Sequence, residues 1–366
     1  LSFILLQGLC SHTVKLVFET VMRLWMHFYL SCNFASLKVS SVNNESINLK
    51  LESDMGTDKG ISRREALARI GMIVAGVATS SIGLSSLSSC AEKPQKKRII
   101  LYFTATGNCL HVARQLAEPE GQLLSIPQMV RQNRYEFEAD EIGIVYPIYG
   151  HMPPNMVRNF IRKAKLKAGY KFSVLTYGAR KCDAVEIWDG ISREAGNPFD
   201  YIATLIMVDN WLPNFDMNEQ IKIEKHIPEN LQRITEDISR RREWHEPVSE
   251  EERQMHAGFM TLSGLDPEVG FLKKSERYFV VTENCIGCGA CTDVCPRGNY
   301  EFTSNGIAMQ GDCDFCFACI QNCPQKAIQF KKNDEDPLLA KGERNPNARY
   351  RNENISLMDI KRANRQ

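Results

Sequence analysis

The sequence predicts a doubly wound α/β domain with a parallel sheet, followed by a small α+β domain organised by its cysteines. Three observations carry that reading. Short apolar runs alternate with helical patterns between residues 98 and 244, the order that builds a parallel sheet covered on both faces. The first run opens directly into a small, hydroxyl-rich loop, Thr104-Ala105-Thr106-Gly107-Asn108. Eight of the 13 cysteines fall between Cys285 and Cys323.

Composition narrows the field. At roughly 100–200 residues per domain, 366 residues suggest two or three domains. Lys and Arg number 45 against 44 Asp and Glu, a net charge of +1. That balance argues against nucleic acid as a partner, because nucleic-acid binders carry a basic footprint. A secreted disulfide scaffold is short and cysteine-rich throughout. This chain is long and cysteine-rich in one place, which points to a metal cluster.

Residues 1–54 read as a leader outside the folded protein: apolar but charge-interrupted to residue 37, then polar and featureless. Met55 opens a different stretch and is read as the start, with 1–54 as upstream sequence translated in error; a disordered or membrane-associated leader is the alternative. Arg63-Arg64 precede the uncharged run Ile70–Leu84, and Leu87-Ser88-Ser89-Cys90 follows. A positive segment, a mild apolar segment and a small-residue exit are the parts of an export signal. The paired arginines suggest the twin-arginine route for folded proteins, although Ala66 and Ala68 depart from that motif. The ending resembles a bacterial lipobox, with Cys90 acylated and the protein held on a membrane surface without spanning it. The expected location is therefore exported and membrane-anchored; the alternative is cytoplasmic.

The elements of the first domain follow in order. Residues 98–103 (RIILYF) form a fully buried strand of the parallel-sheet kind. The loop 104–108 then meets a helix start, where backbone N–H groups and the helix dipole favour an anion. Residues 121–127 are a weak second strand, 141–147 (EIGIVYP) a strong third and 171–177 a fourth. Residues 201–208 are a fifth. Helices are expected over 153–164, 183–195 and 221–244, the last restarting at Pro228. Five such strands with a phosphate loop after the first fit the strand order 2-1-3-4-5, which places a flavin mononucleotide at the switch between strands one and three.

The loop TATGN, together with Pro147-Ile148-Tyr149-Gly150-His151-Met152-Pro153-Pro154 after strand three, resembles the flavodoxin family over residues 98–244. The resemblance implies FMN as cofactor. It assigns Thr104, Thr106, Gly107 and Asn108 to the phosphate. Pro147, Ile148, Tyr149 and Gly150 fall on one side of the ring, and Tyr177, Gly178 and Ala179 on the other. Cys109 stands where flavodoxins often have Thr, which removes one hydroxyl donor. Trp211 is expected in the core or at an interface, and His151 in a solvated loop.

Cys285-x2-Cys288-x2-Cys291-x3-Cys295-Pro296 is matched by Cys313-x2-Cys316-x2-Cys319-x3-Cys323-Pro324. This duplicated spacing is the bacterial ferredoxin run for two [4Fe–4S] clusters, in which the fourth cysteine of each run serves the other cluster. Cluster I is thus expected on Cys285, Cys288, Cys291 and Cys323, and cluster II on Cys313, Cys316, Cys319 and Cys295. A zinc site does not account for four cysteines per run, twice. Strands are expected at 278–282 and 327–330, in a domain over 276–332. Residues 245–275 read as a linker or docking segment, and 333–366 as a tail.

The layout resembles the flavodoxin–ferredoxin fusion proteins of the EFR-type ferredoxin family, over about 98–361, the tail included. Arg349-Tyr350-Arg351 in that tail reads as a surface docking strip. The resemblance implies an electron-transfer iron–sulfur flavoprotein that passes electrons between the clusters and FMN. The partner would be a redox protein or a quinone. Two alternatives stand beside it: a flavin-dependent reductase of a small acceptor such as a quinone, and a ferredoxin carrier whose first domain has lost FMN and only docks a partner. No catalytic residue is evident in the sequence.

Overall fold

The computed structural model describes residues 36–43, 46–52, 97–263, 278–304, 306–311, 313–330 and 343–365. Arg63-Arg64, the run 70–84 and Cys90 lie outside them. The chain divides into two units, Leu1–Cys90 and Ala91–Gln366. In the first, β1 (Ser36–Asn43) pairs antiparallel with β2 (Ser46–Glu52). The segment 38–54, read from sequence as featureless, thus contains a hairpin. Its signal is the alternation of Ile47, Leu49 and Leu51 with polar residues, the two-residue period of a strand.

The second unit begins with β3 (Arg98–Tyr102), whose residues are almost wholly buried. It feeds α1 (Asn108–Ala117), β4 (Gln122–Ser125) and α2 (Ile126–Arg131). Next come β5 (Glu136–Glu138), β6 (Glu141–Pro147), α3 (Asn155–Lys163), β7 (Lys165–Lys167), β8 (Tyr170–Tyr177), α4 (Ala184–Glu194) and β9 (Tyr201–Ile206). The main sheet runs β4-β3-β6-β8-β9, all parallel, which is the expected 2-1-3-4-5 order of a flavodoxin-like fold. β5 and β7 form a separate parallel pair.

The helix expected over 221–244 is shorter. α5 (Met217–Gln220) precedes it, and α6 (Ile227–Ser239) starts with Pro228 in its first turn, where the missing N–H costs nothing. Leu231, Ile234 and Ile238 bury one stripe of α6 against the sheet. The chain then adds β10 (Trp244–His245), a sixth strand parallel to β9. Residues 245–275 are therefore not a plain linker: the strand ends in them, and α7 (Glu250–Ser263) follows.

The cysteine-rich part contains β11 (Phe279–Val281), α8 (Ala290–Val294), β12 (Tyr300–Thr303), β13 (Gly306–Met309), α9 (Ala318–Asn322) and β14 (Ile328–Phe330). β11 and β14 pair antiparallel, as expected from the apolar runs that flank the cysteines. The β12–β13 hairpin was not foreseen, although Asn305-Gly306 is a strong two-residue hairpin signal.

The tail is the largest departure from the sequence reading. Tyr350 is buried, and the side chain of Arg349 keeps only 8% of its surface beside Glu343 at 3.7 Å. Those two are interior residues, and Arg351 alone of the strip is exposed. The tail ends in α10 (Leu357–Asn364), capped at Ser356 by reciprocal bonds with Asp359. Ile355, Ile360 and Ala363 join the core on the α1 face of the sheet, which also takes in Val294, Cys316 and Ala318 of the cysteine-rich part. Asn364 is fully buried, and its Nδ2 donates to the carbonyls of Thr104 (2.8 Å) and Val294 (3.0 Å). One side chain thus ties the sheet, the helix of Cys291 and the tail together. Asn364→Ala should lower the unfolding free energy by about 1–3 kcal/mol, because two buried carbonyls lose their donor. Denaturant titration of the full chain measures this.

Candidate functional site

The parallel strands all deliver their C-terminal ends to one edge. There the connections that follow β3 and β6 leave for opposite faces of the sheet, the place where open α/β sheets bind ligands. A cavity of about 390 Å3 lies at this edge, a size within the range of small-molecule sites. Ten of the eleven residues assigned to FMN line it: Thr104, Thr106, Asn108, Pro147, Ile148, Tyr149, Gly150, Tyr177, Gly178 and Ala179.

The eleventh, Gly107, turns the chain behind the wall. Its φ of 98° is left-handed, and a Cβ there would lie 2.9 Å from the Cβ of Ile355. Glycine is needed for both reasons. The loop is braced from within. Thr104 Oγ1 accepts from the Gly107 N–H (3.2 Å), and Thr106 Oγ1 from Asn210 Nδ2 (2.8 Å). The side chain of Asn108 is already committed: Nδ2 donates to the Val208 carbonyl, and Oδ1 accepts from Tyr350 Oη and Asn352 Nδ2. Asn108 therefore offers an anion its backbone N–H rather than its amide group. The N–H groups of the first turn of α1 have no carbonyl in their own helix to meet.

Cys109 is fully buried with its Sγ 3.1 Å from Thr176 Oγ1, and burial pushes its thiol up to about 12. It holds a proton at neutral pH and acts as packing. On the opposite wall, a Cβ on Gly178 would lie 2.4 Å from the Asp209 carboxyl carbon, so only glycine lets that loop approach. Asp209 is itself buried, and burial raises its carboxyl above the usual carboxylate range; the bond from the Trp211 N–H acts the other way.

Trp211 sits at an interface, as its sequence reading expects, and lines the cavity as well, whereas His151 departs from its reading. The Trp211 ring is tilted 54° to that of Phe317 at 5.2 Å. The Asp-Asn-Trp stretch follows the fifth strand, so its chain position was the available signal. His151 is 5% exposed and also lines the cavity, rather than sitting in solvent. Phe259 of α7 closes the rim, from a segment with no sequence signal for a site.

The cysteines divide into two sets. Cys285, Cys288, Cys291 and Cys323 together line one small cavity, the set expected for cluster I. Cys288 is exposed and Cys285 and Cys323 are half-buried, so this set faces the surface. Cys295, Cys313, Cys316 and Cys319 are all buried, and they lie within mutual electrostatic reach, as expected for cluster II. All of these thiols are free of disulfides. Burial pushes Cys319 up to about 12 and Cys291 up to about 11, and raises Cys313 and Cys316 well above the usual thiol range. Such thiols ionise only against a strong local cation, which iron supplies. Donors are already aimed at sulfur. The N–H groups of Phe315, Asn299 and Ala327 reach Cys313, Cys295 and Cys323 at 3.2–3.3 Å, and Tyr300 Oη donates to Cys319 Sγ at 3.3 Å.

The two sites share a wall. Asp314, Phe315 and Phe317, interleaved with Cys313 and Cys316, line the large cavity. Burial raises the Tyr149 hydroxyl, which lies within electrostatic reach of Cys313, Cys316 and Asp314.

Comparison with known proteins bears on the cysteine-rich part as a whole. Residues 277–332 match a family model described as a 4Fe-4S dicluster domain; two [4Fe–4S] clusters are the cofactors of this region. Among solved structures, the chain is similar to a Lactobacillus acidophilus flavoprotein in complex with FMN, at 15% identity and a TM-score of 0.22, over 30% of this chain and 93% of that one. It is similar to the Megasphaera elsdenii flavodoxin at 17% identity and 0.24, over 29% and 84%. It is also similar to a flavodoxin from the domain Archaea at 13% identity and 0.21, over 37% and 99%. No curated protein matches the chain.

Hydrogen bonds to cluster sulfurs stabilise the more negative, reduced state and raise the potential. Tyr300→Phe removes the Cys319 donor. A neutral hydrogen bond worth about 0.5–1.5 kcal/mol converts to at most about 20–60 mV for one electron. One cluster potential should fall by up to that amount in an EPR-monitored redox titration, while the other holds.

Proposed function

We propose that this protein is an electron-transfer iron–sulfur flavoprotein in which electrons pass between cluster I at the surface, cluster II inside and FMN in the large cavity. The observation that carries this reading is the shared wall: the chain between two cluster II cysteines is also a side of the cavity. Phe315 and Phe317 lie between the two cofactors, and cluster I keeps an exposed cysteine where a partner can reach it. The residues fit FMN. A helix start and two hydroxyls face the phosphate end, and Tyr149, Tyr177 and Trp211 offer flat faces to a ring. Flavin would supply exchange between one-electron and two-electron chemistry; the protein's part is to hold the carriers near each other and exclude water.

A reductase of a small acceptor is the second reading, favoured by the cavity's extension past the ring loops to His151 and Phe259. A redox protein or quinone stays the proposed partner. Export and acylation at Cys90 belong to the proposal on sequence alone. Mass spectrometry of the membrane fraction should find an acylated Cys90 at the mature end; an unmodified, uncleaved chain in the cytoplasm would reverse that part.

Protein isolated without oxygen should contain about eight iron atoms and eight sulfides, from two cubanes, with one flavin per chain. Flavin absent from cluster-loaded protein would favour the carrier that has lost FMN. Gly178→Ala should weaken flavin binding about tenfold or more, equivalent to at least about 1.4 kcal/mol, since the new Cβ displaces the Asp209 carboxyl. Fluorescence titration of the reconstituted protein reads this directly.

A further inference from the structure

After β6 the chain makes a tight two-residue turn. Tyr149 and Met152 exchange backbone hydrogen bonds of 2.9 and 3.1 Å, and Gly150 and His151 between them both take left-handed backbone, with φ of 54° and 67°. That conformation is uncommon for a histidine and costs on the order of 1–3 kcal/mol. The turn holds His151 in the cavity wall next to Tyr149, 5% exposed. Its Nδ1 is buried with no hydrogen-bond partner.

His256 of α7 faces it. The two rings are 5.3 Å apart, at 83° to each other, and Phe259, one turn along α7, packs on His151 at 4.7 Å. His256 Nε2 is likewise buried without a partner, while His256 Nδ1 lies 2.5 Å from Asp183 Oδ1. Two buried, unpartnered imidazole nitrogens cost stability, about 1–3 kcal/mol each, so folding alone does not account for them. The pair also reaches water: the side chains of His256 and Asp183 keep 12% and 18% of their surfaces exposed.

We propose that His151 and His256 form a proton relay between solvent and the flavin, with Asp183 orienting His256. The inference rests on the flavin reading of the cavity. During reduction of the ring, each cluster gives up one electron. The N–H bond of His151 breaks as an N–H bond forms on the ring. His151 takes a replacement proton at its other nitrogen from Nε2 of His256, while Nδ1 of His256 takes one from the Asp183 carboxyl, which is reloaded from water. A low-potential one-electron donor then restores the clusters, and reoxidation runs the protons outward.

The charged surroundings suit this role. Burial, with His256 and Arg180 adding to it, lowers His151 to about 4. The imidazole is therefore neutral at pH 7, with one N–H to give and one lone pair to receive. Arg180 sits at the cavity rim, and Lys181 beside it is held by Glu246 and Glu252. Asp183 is raised by burial and lowered by His256, and Cys182 next to it is raised by burial.

The test is rapid mixing of the full chain, loaded with clusters and flavin, against reduced viologen. Flavin bleaching is followed optically and cluster reduction by freeze-quench EPR. His256→Gln leaves the cavity lining intact. It should slow flavin bleaching at least about tenfold, at the low end of what positioned acid–base groups contribute, with cluster reduction unchanged. His151→Gly suits the left-handed backbone; it should slow bleaching equally and recover with added imidazole. Unchanged bleaching in flavin-loaded His256→Gln overturns the relay and leaves the flavin reading standing, whereas a cluster-loaded protein that binds no flavin overturns both.

Discussion

The shared wall between the cavity and the inner cysteines is the constraint around which this unit is arranged. Phe315 and Phe317 both adopt left-handed backbone, with φ of 53° and 56°, an uncommon state for bulky residues. The cysteine spacing requires a tightly wound loop, and the surrounding aromatic cluster holds it. Phe279, Phe330 and Tyr278 pack around Phe315, while Trp211 packs on Phe317. Displacing this loop would disturb the inner thiols and one side of the cavity at once.

The tail is the brace that keeps that wall in register. Tyr350 and Asn352 bond to Asn108 at the start of α1, and the Asn352 N–H donates to the Thr106 carbonyl. From the cluster side, Asn322 Nδ2 reaches the Ala105 carbonyl, and Gln321 bonds to the carbonyl of Asn210 and the N–H of Tyr350. A loop that is to hold an anion by its backbone N–H groups needs fixed geometry. Here that geometry is held by side-chain amides from both the cluster region and the chain terminus. The same bonds fix the spacing between the cavity and the inner cysteines, the quantity on which the proposed electron transfer depends.

The two cysteine sets differ in burial. Cluster I has an exposed cysteine and exposed apolar neighbours in Ile286 (65%) and Phe302 (60%), whereas cluster II is enclosed. Buried Arg349 lies near Cys319 and Cys323, one ligand of each set, with Glu343 beside it. A cation there favours the reduced clusters, and its carboxylate partner moderates the effect.

The sequence alone determined the sheet order and the presence of a two-cluster domain, and it singled out the loops and cysteines that the structure gathers, because each is a local signal. Buried parallel strands appear as continuous apolar runs, a helix-start loop needs small residues in order, and thiolates around a cluster need fixed spacing. Only the tertiary structure decided what lies between these parts. His151 became a buried wall residue because α7 folds over it, and α7 has little apolar periodicity to announce that contact. The tail became interior because Asn and Tyr side chains found carbonyls far away in sequence, a pairing that no residue type declares in advance. Polar residues in a strip look alike whether water or buried backbone satisfies them, and the fold makes that choice.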